Sequence, residues 1–124
     1  MVLSDFFKSY VDTEDTPVVM CSMDYKIVYM NPCAVERYGQ YGGKDIIGKT
    51  LLLFTGEEAK SKVDAVIEWF RESPENNVVF AMRDAEKETD IYMIALRDET
   101  NELVGFCSKH RRRTNDNNPL YEIS

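Results

Sequence analysis

The sequence predicts an α+β domain: a five-stranded antiparallel sheet with helices over one face, preceded by an amphipathic helix. Three observations predict it. Runs of β-branched and aromatic residues cluster near both ends of the chain, at 17–30 and 78–108. The stretch between them carries helical signals, the clearest at 57–72. The later strand runs follow one another through short polar turns, and no strand–helix alternation of the parallel-sheet kind occurs.

The elements follow in order. Leu3, Phe6, Phe7, Tyr10 and Val11 recur at helical spacing and define one apolar face of a helix within 1–14, started by Ser4 or Asp5. An acidic break follows at 12–16, and Pro17 restarts the chain. PVVMCS (17–22) and KIVYM (26–30) read as strands joined by a short MDY turn. Asn31-Pro32 is a helix start, Asn as the cap and Pro at the first helical position, and Gly39 ends that helix. Gly42-Gly43, DII, Gly48 and LLLF break residues 40–56 into short helical turns.

Ala59, Val63, Val66, Ile67 and Phe70 form the stripe of the long helix at 57–72. Glu57 and Glu58 complement its positive end, and Ser73-Pro74 stops it. VVFAM (78–82), TDIYMIAL (89–96) and LVGFCS (103–108) then form three strands joined by RDAEKE and RDETNE. The organisation is a helix at 1–14, a domain at 15–110, and a basic then polar tail at 111–124 whose Tyr121 and Ile123 either dock or fray.

The 124 residues suit one domain, and 44% hydrophobic and 30% charged residues are ordinary globular usage. A net charge of −7 makes nucleic acid a poor default partner. The exception is KHRRR at 109–113. This run either grips an acidic partner, a phosphate or the chain's own acidic face, or is a solvated strand end, the last being somewhat favoured. Cys21, Cys33 and Cys107 are an odd set without C-x-x-C, so neither a zinc knuckle nor a redox pair is indicated. Free thiols fit a reducing compartment. No secretory leader opens the chain and no apolar run approaches the ~20 residues of a membrane span, so a soluble, cytoplasmic protein without membrane contact is expected. One histidine and no nucleophile elbow give no basis for nucleophilic catalysis.

GKDIIGKT (43–50) matches the phosphate-loop pattern G-x-x-x-x-G-K-[ST]. Such a loop needs a buried strand before the glycines and a helix after them. Here NPCAVERYGQY, a capped helix, precedes the motif, and no strand ending in Asp follows. The segment therefore reads as two short turns with Gly48 at the bend and Ile46 and Ile47 facing the core.

PVVMCSMDYKIVYMNPCAVERYG followed by KDIIGKTLLLF resembles a PAS domain. Asn31 matches the family's hydrophobic-x-Asn before the first core helix. Asp45, Ile46, Ile47, Gly48, Lys49 and Thr50 match its acidic–hydrophobic–hydrophobic–Gly–basic–hydroxyl segment. TDIYMIALRDETNELVGF is similar to its closing hairpin, so the resemblance covers about residues 15–110. Two departures stand out. Tyr25-Lys26 occupy the first hairpin where Gly is usual, and His110 with three arginines replaces the usual Asp-hydrophobic-Thr exit.

The resemblance implies a ligand between the inner sheet face and the helices, or a filled core in a dimerisation module. Covalent flavin photochemistry needs a reactive Cys after Gly48, where the chain has TLLLF. Helix-ligated haem needs a His that 57–72 lacks, and no chromophore cysteine of the photoactive yellow type can be matched. The cofactor stays unknown. Period-2 counting puts Phe106, Ser108 and His110 on one face. The resemblance turns that face inward, with Ile91 and Met93 and with Val19 and Cys21. Ile47, Leu51 and Val66 complete the candidate ligand contacts. The lining is mostly apolar, so an ordinary core is the plainer reading, and a solvated His110 is slightly favoured over a rim position. Phe6, Phe7 and Tyr10 are the candidate dimer contacts, beside an outer sheet face bearing Tyr92, Ile94 and Val104. The expected function is a non-enzymatic cytoplasmic sensor that binds a hydrophobic or mixed small molecule and signals through a homodimer or protein partner. The alternative is a ligand-free interaction module, and a nucleotide enzyme through Gly43–Thr50 stands third.

Overall fold

The computed structural model describes residues 2–84 and 89–112. The elements are α1 (Leu3–Asp12), β1 (Val18–Ser22), β2 (Ile27–Met30), α2 (Pro32–Arg37), α3 (Glu57–Glu72), β3 (Val78–Asp84), β4 (Thr89–Arg97) and β5 (Leu103–Arg112). Three 3-10 turns, Gly39–Tyr41, Gly43–Ile46 and Leu51–Leu53, fill the stretch between α2 and α3. The sheet is antiparallel throughout, in the order β2-β1-β5-β4-β3. The last strand thus closes against the first. Alternation sends Val19, Cys21, Met93 and Phe106 to the face covered by α2 and α3, where with Ile27 and Met30, the two buried ends of β2, they pack with Ala34, Val63, Ile67 and Phe70.

Asn31 ties the helical layer to the sheet. Its Oδ1 accepts from Ala34 N–H, capping α2, and from Val18 N–H, each at 2.9 Å. Its Nδ2 donates to the Val11 and Thr16 carbonyls at 3.2 and 3.1 Å. The side chain is fully buried with all four hydrogen-bonding positions used. The β1–β2 turn is as expected, but Tyr25 sits there at φ +66°, a left-handed conformation that favours glycine. Two contacts hold it. Its ring packs edge-on against Phe106 at 5.5 Å, and its hydroxyl donates to Asp64 of α3.

Gly105 of β5 passes so close to β1 that a Cβ there would lie 2.3 Å from the Cys21 carbonyl oxygen. Arg97, at the end of β4, collects the end of α3. Its guanidinium donates to the Phe70, Ser73 and Asn76 carbonyls at 2.7–3.2 Å and to Asn77 Oδ1 at 2.8 Å.

Two boundaries differ from expectation. β5 runs on to Arg112, because Thr89–Tyr92 of β4 pair with Lys109–Arg112 and His110 N–H donates to the Pro17 carbonyl at 3.1 Å. Lys109 through Arg112 are therefore sheet rather than rim and tail. Ile47 is 40% exposed while Ile46 is 1% exposed. The 3-10 turn ends at Ile46 and the backbone then becomes extended, which turns only the first of the two inward. Residues 85–88 and the tail from 113, with Tyr121 and Ile123, lie outside the described residues.

Candidate ligand cavity

Between α3 and the inner face of β3–β5 lies a cavity of about 130 Å³. The sheet supplies Val19, Ala81, Met82, Ile91, Met93, Phe106, Ser108 and His110, and α3 supplies Ala59 and Val63. Tyr38, Leu51 and Thr55 close it from the 3-10 region. Alternation accounts for most of the sheet set: Ile91 faces His110 across the β4–β5 pair, and Met93 faces Ser108. Met82 joins them because a bulge between Phe80 and Met82 resets the pleat and pairs Met82 with Ile91.

Seven of the ten residues expected at a ligand line this cavity: Val19, Leu51, Ile91, Met93, Phe106, Ser108 and His110. Cys21, Ile47 and Val66 do not. Cys21 is one inward position further along β1 and packs into the core beside Phe106. Ile47 points outward. Val66 packs half-buried against the core, a helical turn beyond Val63. Ala59 and Val63 were legible as part of the α3 stripe, four residues apart on one face. Tyr38, Thr55 and Met82 were not, since 3-10 turns and a bulge place them.

Ser108 and His110 bring polar groups from β5, and Tyr38 and Thr55 bring theirs from the 3-10 end. His110 is 3% exposed, so it is a buried wall residue rather than a solvated strand end. Its Nδ1 lies 3.2 Å from Thr89 Oγ1, itself buried. Ser108 presents its hydroxyl from the same face. Among the described residues no Lys, Arg, Asp or Glu lines the cavity. Burial pushes the nearby Cys21 thiol up to about 12, reinforced by Cys107, so no thiolate is on offer near neutral pH.

The backbone of His110 faces the other way. Its carbonyl accepts from the Thr16 hydroxyl at 2.7 Å. On either side, Lys109 pairs with Glu14 at 3.2 Å and Arg112 with Asp15 at 2.9 Å. The basic run thus meets this chain's own acidic segment. That segment leads directly from α1, which is anchored by Tyr29 donating to Asp12, a carboxylate that Lys8 also pairs with within the helix at 2.7 Å. Leu3, Phe6, Phe7 and Tyr10 stay 58–69% exposed on α1, and Val78, Phe80 and Val104 are exposed elsewhere. Arg111 stacks over Tyr92 at 4.5 Å and leaves the outer face partly capped.

The phosphate-loop match is consumed by the fold. Gly48 N–H donates to the Ile27 carbonyl at 2.7 Å, Lys49 N–H to Ile46 and Leu51 N–H to Tyr25, while Thr50 Oγ1 accepts from Leu52. Gly48, at φ +95°, makes the bend that brings the segment beside β2. The amides a phosphate would require are already bonded within the chain. Among the described residues no cluster could hold a metal ion, and no helix is long and apolar enough to cross a membrane.

A five-stranded antiparallel sheet in this order, with a short helix, 3-10 turns and one long helix over a single face, defines the class of small α+β sensor-type folds. The PAS domain family model matches residues 15–109, and the chain belongs to that family. Its members are generally sensory modules and typically not enzymes. Among solved structures, the chain is similar to the PAS domain of a Colwellia psychrerythraea protein (13% identity, 90% of this chain and 97% of that one, TM-score 0.66). It is also similar to the PAS domain of the fruit-fly ELK potassium channel (17%, 93% and 100%, 0.60). A sensory box sensor histidine kinase from Vibrio cholerae is similar as well (16%, 86% and 89%, 0.59). No curated protein matches.

Proposed function

We propose that this chain is a cytoplasmic sensory module that binds a small molecule in the cavity beneath α3. It reports occupancy through α1 and the outer sheet face, to a second copy of itself or to a protein partner. The observation that carries this reading is the cavity itself. Its volume is about 130 Å³, and β1, β3, β4, β5, α3 and the 3-10 turns all contribute to its lining. Away from the cavity, Phe70 of α3 is fully buried. A gap at one place, with a hydroxyl and an imidazole on its wall, suits a ligand better than a packing defect. The sensory character of the family supports the same reading, as do the three free thiols for a reducing compartment.

The route outward runs through β5. His110 contributes its ring to the cavity and its backbone to the 14–17 segment that carries α1. A ligand that moves β5 by a fraction of an ångström therefore acts on α1. A second copy is the fitting occupant for Phe6, Phe7 and Tyr10, because an apolar stripe of this length gains little from water.

The test is extraction. Freshly purified chain is denatured, the polypeptide is filtered off, and the filtrate is compared by mass spectrometry with a mock preparation. A compound present in proportion to the chain supports the reading. A filtrate matching the mock, with no stabilisation of the chain by any compound of a small-molecule library, instead favours an interaction module with an unused gap.

A further inference from the structure

The size and lining of the cavity restrict what enters it. Its volume of about 130 Å³ is close to that of an apolar protein cavity of about 150 Å³ that holds one benzene. A tricyclic or macrocyclic cofactor is several times too large. A charged head is disfavoured as well. It would shed its water where no carboxylate, ammonium or guanidinium of the described residues compensates. Ser108 and His110 lie two residues apart on one face of β5, about 7 Å at the backbone, and Tyr38 and Thr55 add polar groups at the 3-10 end. Thr89 steadies the imidazole, and no other described residue bonds the Ser108 hydroxyl. Val63 of α3 faces Ser108 and His110 across the cavity, and Met93 and Phe106 flank them on the sheet, all three apolar.

We propose that the cavity takes a neutral, mostly apolar molecule of about six to eight non-hydrogen atoms, a monocyclic phenol or a short branched alcohol. Its hydroxyl bonds the Ser108 hydroxyl and its hydrocarbon body lies against Val63, Met93 and Phe106. The proposal rests on the sensory reading above and gives it a ligand class.

Four probes test it on the full chain after exhaustive dialysis: phenol, toluene, benzoate and 2-naphthol. The readout is the methyl NMR signals of Val63, Ile91 and Met93. Phenol is expected to shift all three saturably, and toluene to do so about tenfold more weakly for want of one hydrogen bond. Benzoate and naphthol are expected to leave them in place. Ser108→Ala should bring phenol down to the affinity of toluene without changing that of toluene. Saturable cavity shifts with benzoate or naphthol overturn the size and charge class and leave the sensory reading standing. Silence from all four probes, the result for a cavity that holds only water, overturns the class. Only if the extraction also returns nothing does the sensory reading fall with it.

Discussion

Asn31 shows how one side chain carries the junction of three elements. It joins α1, β1 and α2 through two accepted and two donated bonds, with no exposure to solvent. Asn31→Asp keeps the shape but replaces two donors by an acceptor and buries a charge. A loss of about 3 kcal/mol is expected, read from urea unfolding, and Asn31→Ala should lose a similar amount. The buried thiols predict a pH dependence. Burial pushes Cys107 up to about 11, and burial with Cys107 pushes Cys21 to about 12, from an ordinary 9.0. In the unfolded chain both ionise near that ordinary value, while in the folded chain they stay protonated. The folded state then binds more protons, so this contribution is complete below about pH 9 and is lost as pH rises towards 11–12. Unfolding midpoints should fall from about pH 8 to about pH 10.5, and fall less in Cys21→Ala/Cys107→Ala. The cap role of Asn31 was legible in the sequence, because Asn before Pro and an apolar run has few other uses. Its bonds to Val11, Thr16 and Val18 were not, since they depend on the fold bringing α1 and β1 together.

At the scale of elements, the long helix was legible from its 3.6-residue stripe, and the five strands from β-branched and aromatic runs bounded by polar turns. The bounds of α3 fall at 57 and 72 as its cap and stop signals say. The end of β5 was less legible: Lys109 through Arg112 look like a solvated run until β4 and Pro17 pair with them. The role of Arg97 was hidden for the same reason, because its partners at the end of α3 and just after it lie 20 to 27 residues away. It closes the C-terminal end of α3, which has no glycine cap. Arg97→Lys keeps the charge and loses the fork, so it should cost roughly 2–3 kcal/mol and speed amide exchange in the last turn of α3. A loss equal to that of an exposed lysine pair would show that the fork matters little. The pairs Glu14–Lys109 and Asp15–Arg112 are half-buried or exposed and so are worth little as stability. Their part is to fix where the 14–17 segment lies along β5.

At the scale of the whole molecule, the apolar α1 face and the cavity are the two ends of the proposed device. Phe7→Glu places a charge in the α1 stripe and should shift sedimentation equilibrium towards monomer without changing the circular dichroism of the domain. A wild-type chain that is monomeric at all concentrations would assign the α1 face to another protein. The family and its inner face were legible from Asn31 and the DIIGKT segment, whereas the volume of the cavity was not. Pockets of this size are differences between nearly filled arrangements, decided by a bulge at Met82 and by how the 3-10 turns close. The central claim is that this gap is kept for a ligand, and filling it tests that claim. Thermal unfolding of wild type and Ala59→Phe, each with and without phenol, should show the variant more stable by about 1 kcal/mol and indifferent to phenol, and wild type stabilised by it. Equal responses in both proteins, or no response in wild type with a filled variant that is less stable, would contradict the account.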